Sequence, residues 1–219
     1  MIVRVCRRYS RYFSPLTSLL SKSRSITLDC HAINLASGIT EPQKRVAEFG
    51  RAAPNCCCEL QTTSPYSPGT IKNEEQLTRF IFSPVHVNSK NGKVKPSAFS
   101  HISSMGCSVQ REDVASTNEL NNWLHSYLTK NNNHQWMGTL TSFTKTVREI
   151  NPNNSENRVI AVYDTAEPNN LAHAELFQTE HVIEDADSIE LRAELLKNFS
   201  NGILTKPTEY REGQLSHHA

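Results

Sequence analysis

His173 and Glu175 stand two residues apart in Ala172-His173-Ala174-Glu175. In an extended chain residues i and i+2 share a face. An imidazole and a carboxylate then project together, while two small alanines project the other way. A carboxylate that orients an imidazole is a general acid/base arrangement. His86 arrives separately, in Ser83-Pro84-Val85-His86-Val87, just past an expected strand end, where loops present functional groups. His173, Glu175 and His86 form the candidate catalytic set. The plainer alternative is a polar strand face with a histidine that closes a turn.

Three further residues are candidates for holding a ligand. Arg111, in Gly106-Cys107-Ser108-Val109-Gln110-Arg111, offers a guanidinium for an anion. Ser108 offers a hydroxyl, but in a regular strand it faces away from Arg111. Asp164 ends the apolar run Val159–Tyr163, where pockets often open. Cys107 is a nucleophile only if a histidine lowers its pKa, and none is adjacent in sequence. Lys90, Lys93 and Lys95 surround a turn, and a lysine-rich turn is usually only solubilising. Cys56-Cys57-Cys58 lacks the two-residue spacer that lets paired thiolates grip zinc, so no metal is expected. Phosphate-binding loops, dinucleotide fingerprints, HExxH and nucleophile elbows are all missing from the sequence. Nothing names a cofactor.

These side chains need elements to position them. Leu77–Phe82 reads as a strand stopped by Ser83-Pro84. Asn91-Gly92 between short extended segments predicts a two-residue hairpin with positive φ at both positions. Cys107–Arg111 is a second strand, entered through Gly106. Ser116-Thr117-Asn118-Glu119 is a capping box, followed by Leu120, Trp123, Leu124, Tyr127 and Leu128 at helical spacing. Gln135–Phe143 and Arg158–Tyr163 read as strands, the second central in its sheet, with an Asn/Pro-rich loop over 151–157 between them. Leu171–Phe177 fits a strand or a helical turn. A last helix starts near Asp185–Asp187, whose charges suit its positive end. Ile189, Leu191, Leu195, Leu196 and Phe199 should face inward, and Asn201-Gly202 supplies the stop. The expected class is α+β: a small, mostly antiparallel or mixed sheet with two main helices.

Composition divides the 219 residues near position 70. Residues 1–70 hold nine Lys/Arg against four Asp/Glu, and residues 71–219 hold fourteen against eighteen. The acidic balance of the second part argues against nucleic-acid binding. No apolar run approaches the roughly 20 residues that span a bilayer. Five of the six cysteines precede residue 71, and the remaining one, Cys107, suits a reducing compartment. The opening places Arg4, Arg7, Arg8 and Arg11 on one helical face, with no acid before Asp29. That pattern fits a mitochondrial transit peptide. It also fits a reading frame extended too far upstream, or a disordered arm. On every version residues 1–70 are a disordered leader that stays out of the core, 71–205 form one domain, and 206–219 are a loose tail.

The segments FIFSPVHVNSKNGKVKPSAFS, GCSVQRE and YDTAEPNNLAHAEL together resemble small bacterial proteins, often of mobile-element type. There a Pro-x-His-Val segment precedes a Gly-containing hairpin, an Ala-Phe pair, a Gly-x-Ser-Val step and a late Ala-His-Ala-Glu. The matching positions are Pro84–Val87, Gly92, Ala98-Phe99, Gly106–Val109 and Ala172–Glu175, within residues 77–177. The resemblance implies a bacterial cytoplasmic origin and brings no activity with it. The expectation is therefore a polar pocket around His86, Arg111, Asp164, His173 and Glu175 that binds, hydrolyses or transfers a small phosphorylated or nucleotide-like ligand. The rival expectation is a non-catalytic partner protein of antitoxin type. A third is a mitochondrial protein with a genuine transit peptide.

Overall fold

A computed structural model describes residues 57–152, 158–179 and 185–200. The amphipathic opening, most of the Asn/Pro-rich loop, the Asn201-Gly202 stop and the tail lie outside the described residues. Five strands form one antiparallel sheet: β1 (Gln76–Ser83), β2 (Cys107–Arg111), β3 (Gln135–Phe143), β4 (Ile160–Asp164) and β5 (His173–Gln178). Their spatial order is β3-β1-β2-β5-β4. Among the described residues three α-helices accompany them: α1 (Thr117–Lys130), α2 (Thr144–Glu149) and α3 (Asp185–Asn198). The α+β class is thus the observed one, with every strand pairing antiparallel.

Opposed residues of neighbouring strands share a face, so the register sorts the side chains. Leu77, Arg79 and Ile81 share one face with Cys107, Val109, Arg111, Ala174, Leu176, Val162 and Asp164. This face carries the main core. Leu191 and Leu195 of α3, and Phe199 just after it, fall at intervals of four and are fully buried against it, with Val147 of α2 and with Ala98, Phe99 and Ile102. Burying each large side chain contributes about 2 kcal/mol. Ile189, expected inside, is 59% exposed, because it lies off that stripe. On the opposite face Phe80, Phe82 and Trp136 meet Leu120 and Leu124 of α1 in a second, smaller cluster. The start of α1 is the expected capping box: Ser116 accepts from the Glu119 N–H, and the Glu119 carboxylate accepts from the Ser116 N–H at 2.8 Å.

Two short elements carry no sustained period in sequence and were not expected. Pro96–Ser103 forms 3-10 turns kinked at Phe99, and α2 is only six residues long. The Asn91-Gly92 hairpin forms, but with a longer loop than expected. Asn88 N–H donates to the Lys93 carbonyl at 2.9 Å, leaving four residues in the loop. Only Gly92, at φ +69°, is left-handed there.

Two corrections concern β4 and the leader. β4 is at an edge of the sheet, not at its centre. Its five residues are all buried, because a preceding strap closes the edge. The Glu59 carboxylate accepts from the Val162 N–H at 2.7 Å, Thr63 Oγ1 donates to the Asp164 carbonyl, and Ser64 Oγ donates to the Ala166 carbonyl. The strap thus satisfies outward groups at positions 162, 164 and 166, the alternate ones that an antiparallel edge leaves open. Glu59 also pairs with Arg148 at 3.0 Å and with Arg158. Cys58 beside it is buried and disulfide-bonded. The boundary expected at residue 70 therefore falls inside the packed region, and the single-cysteine argument for a reducing compartment holds for residues 71–219 alone.

Candidate active site

The sheet register divides the six candidate residues. Gln110 opposes both Thr78 and His173, and Ser108 opposes Glu175, which opposes Tyr163. Ser108, His173 and Glu175 therefore share the face opposite the main core, with Gln110 and Tyr163 beside them. Gln110, Tyr163, His173 and Glu175 are buried. Thr165, just past β4, completes this polar seam, which crosses β2, β5 and the end of β4.

His173 is oriented differently from expectation. Its Nδ1 lies 3.1 Å from the Thr165 carbonyl oxygen and 3.0 Å from Thr165 Oγ1. A carbonyl can only accept, so Nδ1 carries the proton and Nε2 keeps its lone pair when the ring is neutral. Thr165, rather than Glu175, sets the tautomer. Sequence offered no signal for this, because Thr165 reaches His173 only through the loop that folds back between β4 and β5. Glu175 is left two residues along the same face, as strand periodicity required. Near the strand entry, a Cβ added to Gly106 (φ +86°) would lie 2.9 Å from the Phe177 ring and 3.1 Å from Glu175 Cδ. Glycine there admits the ring and the carboxylate to the seam. Gln110 contributes a side-chain carbonyl oxygen that is buried without a hydrogen-bond partner, a costly state for an isolated polar atom.

Arg111 and Asp164 do not belong to this cluster. Both lie on the core face, and Arg111 is already engaged. Its Nε and Nη2 grip Glu75 at 2.8 and 3.0 Å, and its Nη1 reaches the Gly69 carbonyl at 2.8 Å and Asp164 Oδ1 at 3.5 Å. This bidentate buried pair ties the chain ahead of β1 to β2 and β4. Burial pushes the Asp164 carboxyl up, opposed by the Ser67 hydroxyl and Arg111. The expected anion clamp is a structural ion pair, and the residue that makes it so, Glu75, sits 36 positions away in sequence.

His86 is also elsewhere. The row containing His173 crosses β1 at Thr78, whereas His86 folds back onto Phe82, four residues further along. That offset alone is about 13 Å. The Phe82 N–H donates to His86 Nδ1 at 3.2 Å, and the two rings lie 6.0 Å apart. Burial, then the positive charge of Arg79, lowers the His86 pKa to about 3. Cys107 is free, buried and pushed up by burial, which withholds the thiolate that a nucleophile needs.

Among the described residues, no group of three His, Cys, Asp or Glu side chains is placed to hold a metal ion. No helix among them is long and apolar enough to cross a membrane. Compared with known proteins, the chain matches no protein family, no curated protein and no solved structure.

Proposed function

We propose that the domain binds a small polar ligand at the seam of Ser108, Gln110, Tyr163, His173 and Glu175, and performs hydrolysis or group transfer on it. His173 Nε2 is the base, held by Thr165. Glu175 provides the negative charge that stabilises the imidazolium once His173 has taken a proton. Ser108 and Gln110 offer hydrogen bonds to the ligand. With Arg111 committed to Glu75, the described residues of this site offer no guanidinium to a phosphoryl group. The ligand class narrows accordingly, from phosphorylated compounds to neutral hydrogen-bonding ones such as nucleosides or polyols. The observation that carries the reading is the convergence of His173, Glu175 and Ser108, from two strands, on one buried face beside the unpartnered Gln110 oxygen. The resemblance to bacterial proteins is what favours a bacterial cytoplasm.

The test is thermal denaturation of the full chain with nucleosides, sugars and sugar phosphates, in the wild type and in His173→Ala and Glu175→Gln. A ligand bound at 100 times its Kd stabilises by about 2.7 kcal/mol. A shift with a neutral ligand that disappears in His173→Ala supports the reading. No shift with any ligand, while both variants melt like the wild type, overturns it in favour of a non-catalytic interaction protein.

A further inference from the structure

Arg79 is a cation without a carboxylate. Its Nη1 donates to the Ser108 carbonyl at 2.6 Å and its Nη2 to the Ala98 carbonyl at 2.9 Å. Its Nε is buried with no hydrogen-bond partner. Among the described residues no acid forms an ion pair with it. A partly buried guanidinium held only by neutral carbonyls retains its full charge in a poorly solvated place, which is costly unless an anion completes it.

Of the neighbouring groups, Lys95 adds charge, while His86 and His101 offer ring N–H donors. His101, on the kinked segment Pro96–Ser103, is exposed and lies within the influence of Arg79. His86 accepts from the Phe82 N–H through Nδ1, so its neutral ring presents Nε2–H as a donor. Lys95 is joined to His86 through its backbone N–H, at 2.9 Å from the His86 carbonyl, and its ammonium reaches the Pro84 carbonyl at 3.3 Å. No acid is among the described groups that act on His86, of which Arg79 is the strongest. Glu175, the acid that acts on nearby Cys107, stands on the other face of the sheet. Lys90 and Lys93 are exposed on the hairpin just before Lys95.

We infer that Arg79, His86, Lys95 and His101 form an anion site that takes a phosphate-type oxyanion. Phosphate is favoured over a carboxylate because the donors come from separate elements: β1, the hairpin and the 3-10 segment. A tetrahedral group with three terminal oxygens and nearly two charges can meet several of them at once. The site is independent of the seam around His173.

The experiment titrates the full chain with inorganic phosphate, and separately with a nucleoside monophosphate, against chloride at matched ionic strength. The imidazole proton resonances of His86 and His101 are followed by NMR. Saturable shifts with phosphate and not chloride are expected, with the titration midpoints of both histidines moving to higher pH. Lys95→Gln combined with His101→Asn should weaken binding at least tenfold, and both changes lie on the surface of the cluster. His173→Ala should bind phosphate as the wild type does, which separates this site from the proposed active site. Tighter binding of the nucleotide would mean that the oxyanion belongs to a larger molecule. Equal shifts with chloride, no shifts at all, or undiminished binding by the double variant would each overturn the inference.

Discussion

Arg111→Met tests whether this arginine builds the fold or waits for a ligand. In the wild type its side chain is 4% exposed, and the guanidinium is held bidentately by Glu75 and approached by Asp164. Methionine keeps much of the apolar stem but leaves two buried carboxylates without their cation. Breaking a buried pair in this way costs about 3–5 kcal/mol, a large share of the roughly 5–15 kcal/mol that holds a typical domain together. Urea denaturation followed by tryptophan fluorescence measures the loss at pH 8. The variant should then recover as pH falls. Asp164 is already pushed up by burial, with the Glu75 charge adding to that, and losing Arg111 pushes it higher. The folded state then binds more protons than the unfolded state, so stability rises toward acid. Removing one carboxylate as well, in Arg111→Met with Glu75→Leu, should cost less than Arg111→Met alone. A loss under about 1 kcal/mol, or one that is equal at pH 5 and pH 8, would refute the reasoning and return Arg111 to the candidates for ligand binding.

Three other outcomes follow from the same structure. Ser116→Ala removes the cap of α1 and should cost about 1 kcal/mol in denaturant midpoint experiments, with the fold unchanged. Gly106→Ala combines a left-handed φ of +86° with a 2.9 Å approach to the Phe177 ring; a loss of about 2–4 kcal/mol is expected, and a neutral result would mean the ring is free to move aside. His86 is neutral in the fold down to about pH 3 but protonates near 6.5 when unfolded. Its contribution is complete above pH 6.5 and is lost as pH falls toward 3, by about 3 kcal/mol once solvent screening is allowed for. His86→Asn, which retains an acceptor for the Phe82 N–H, should flatten the stability profile over that range.

Local patterning was enough to place most elements. Alternation marked the strands, and a serine three residues before a glutamate marked the start of α1. A period of two also put His173 and Glu175 on the same side, and Ser108 and Arg111 on opposite sides, because strand geometry alone decides which neighbours share a face. What one strand cannot specify is which face of the sheet its residues join, since that depends on pairing with distant segments. Only the register of β2 with β5, and of β5 with β4, aligned Ser108, Glu175 and Tyr163 in one row and sent Arg111 and Asp164 to the other side. The apolar run at β4 read as central because its residues are buried. In the fold, that burial is completed at a sheet edge by hydroxyls and a carboxylate from residues 59–64. Glu75 on Arg111 and Thr165 on His173 were invisible for the same reason: a hydrogen bond between groups brought together by folding leaves no periodic trace in the chain.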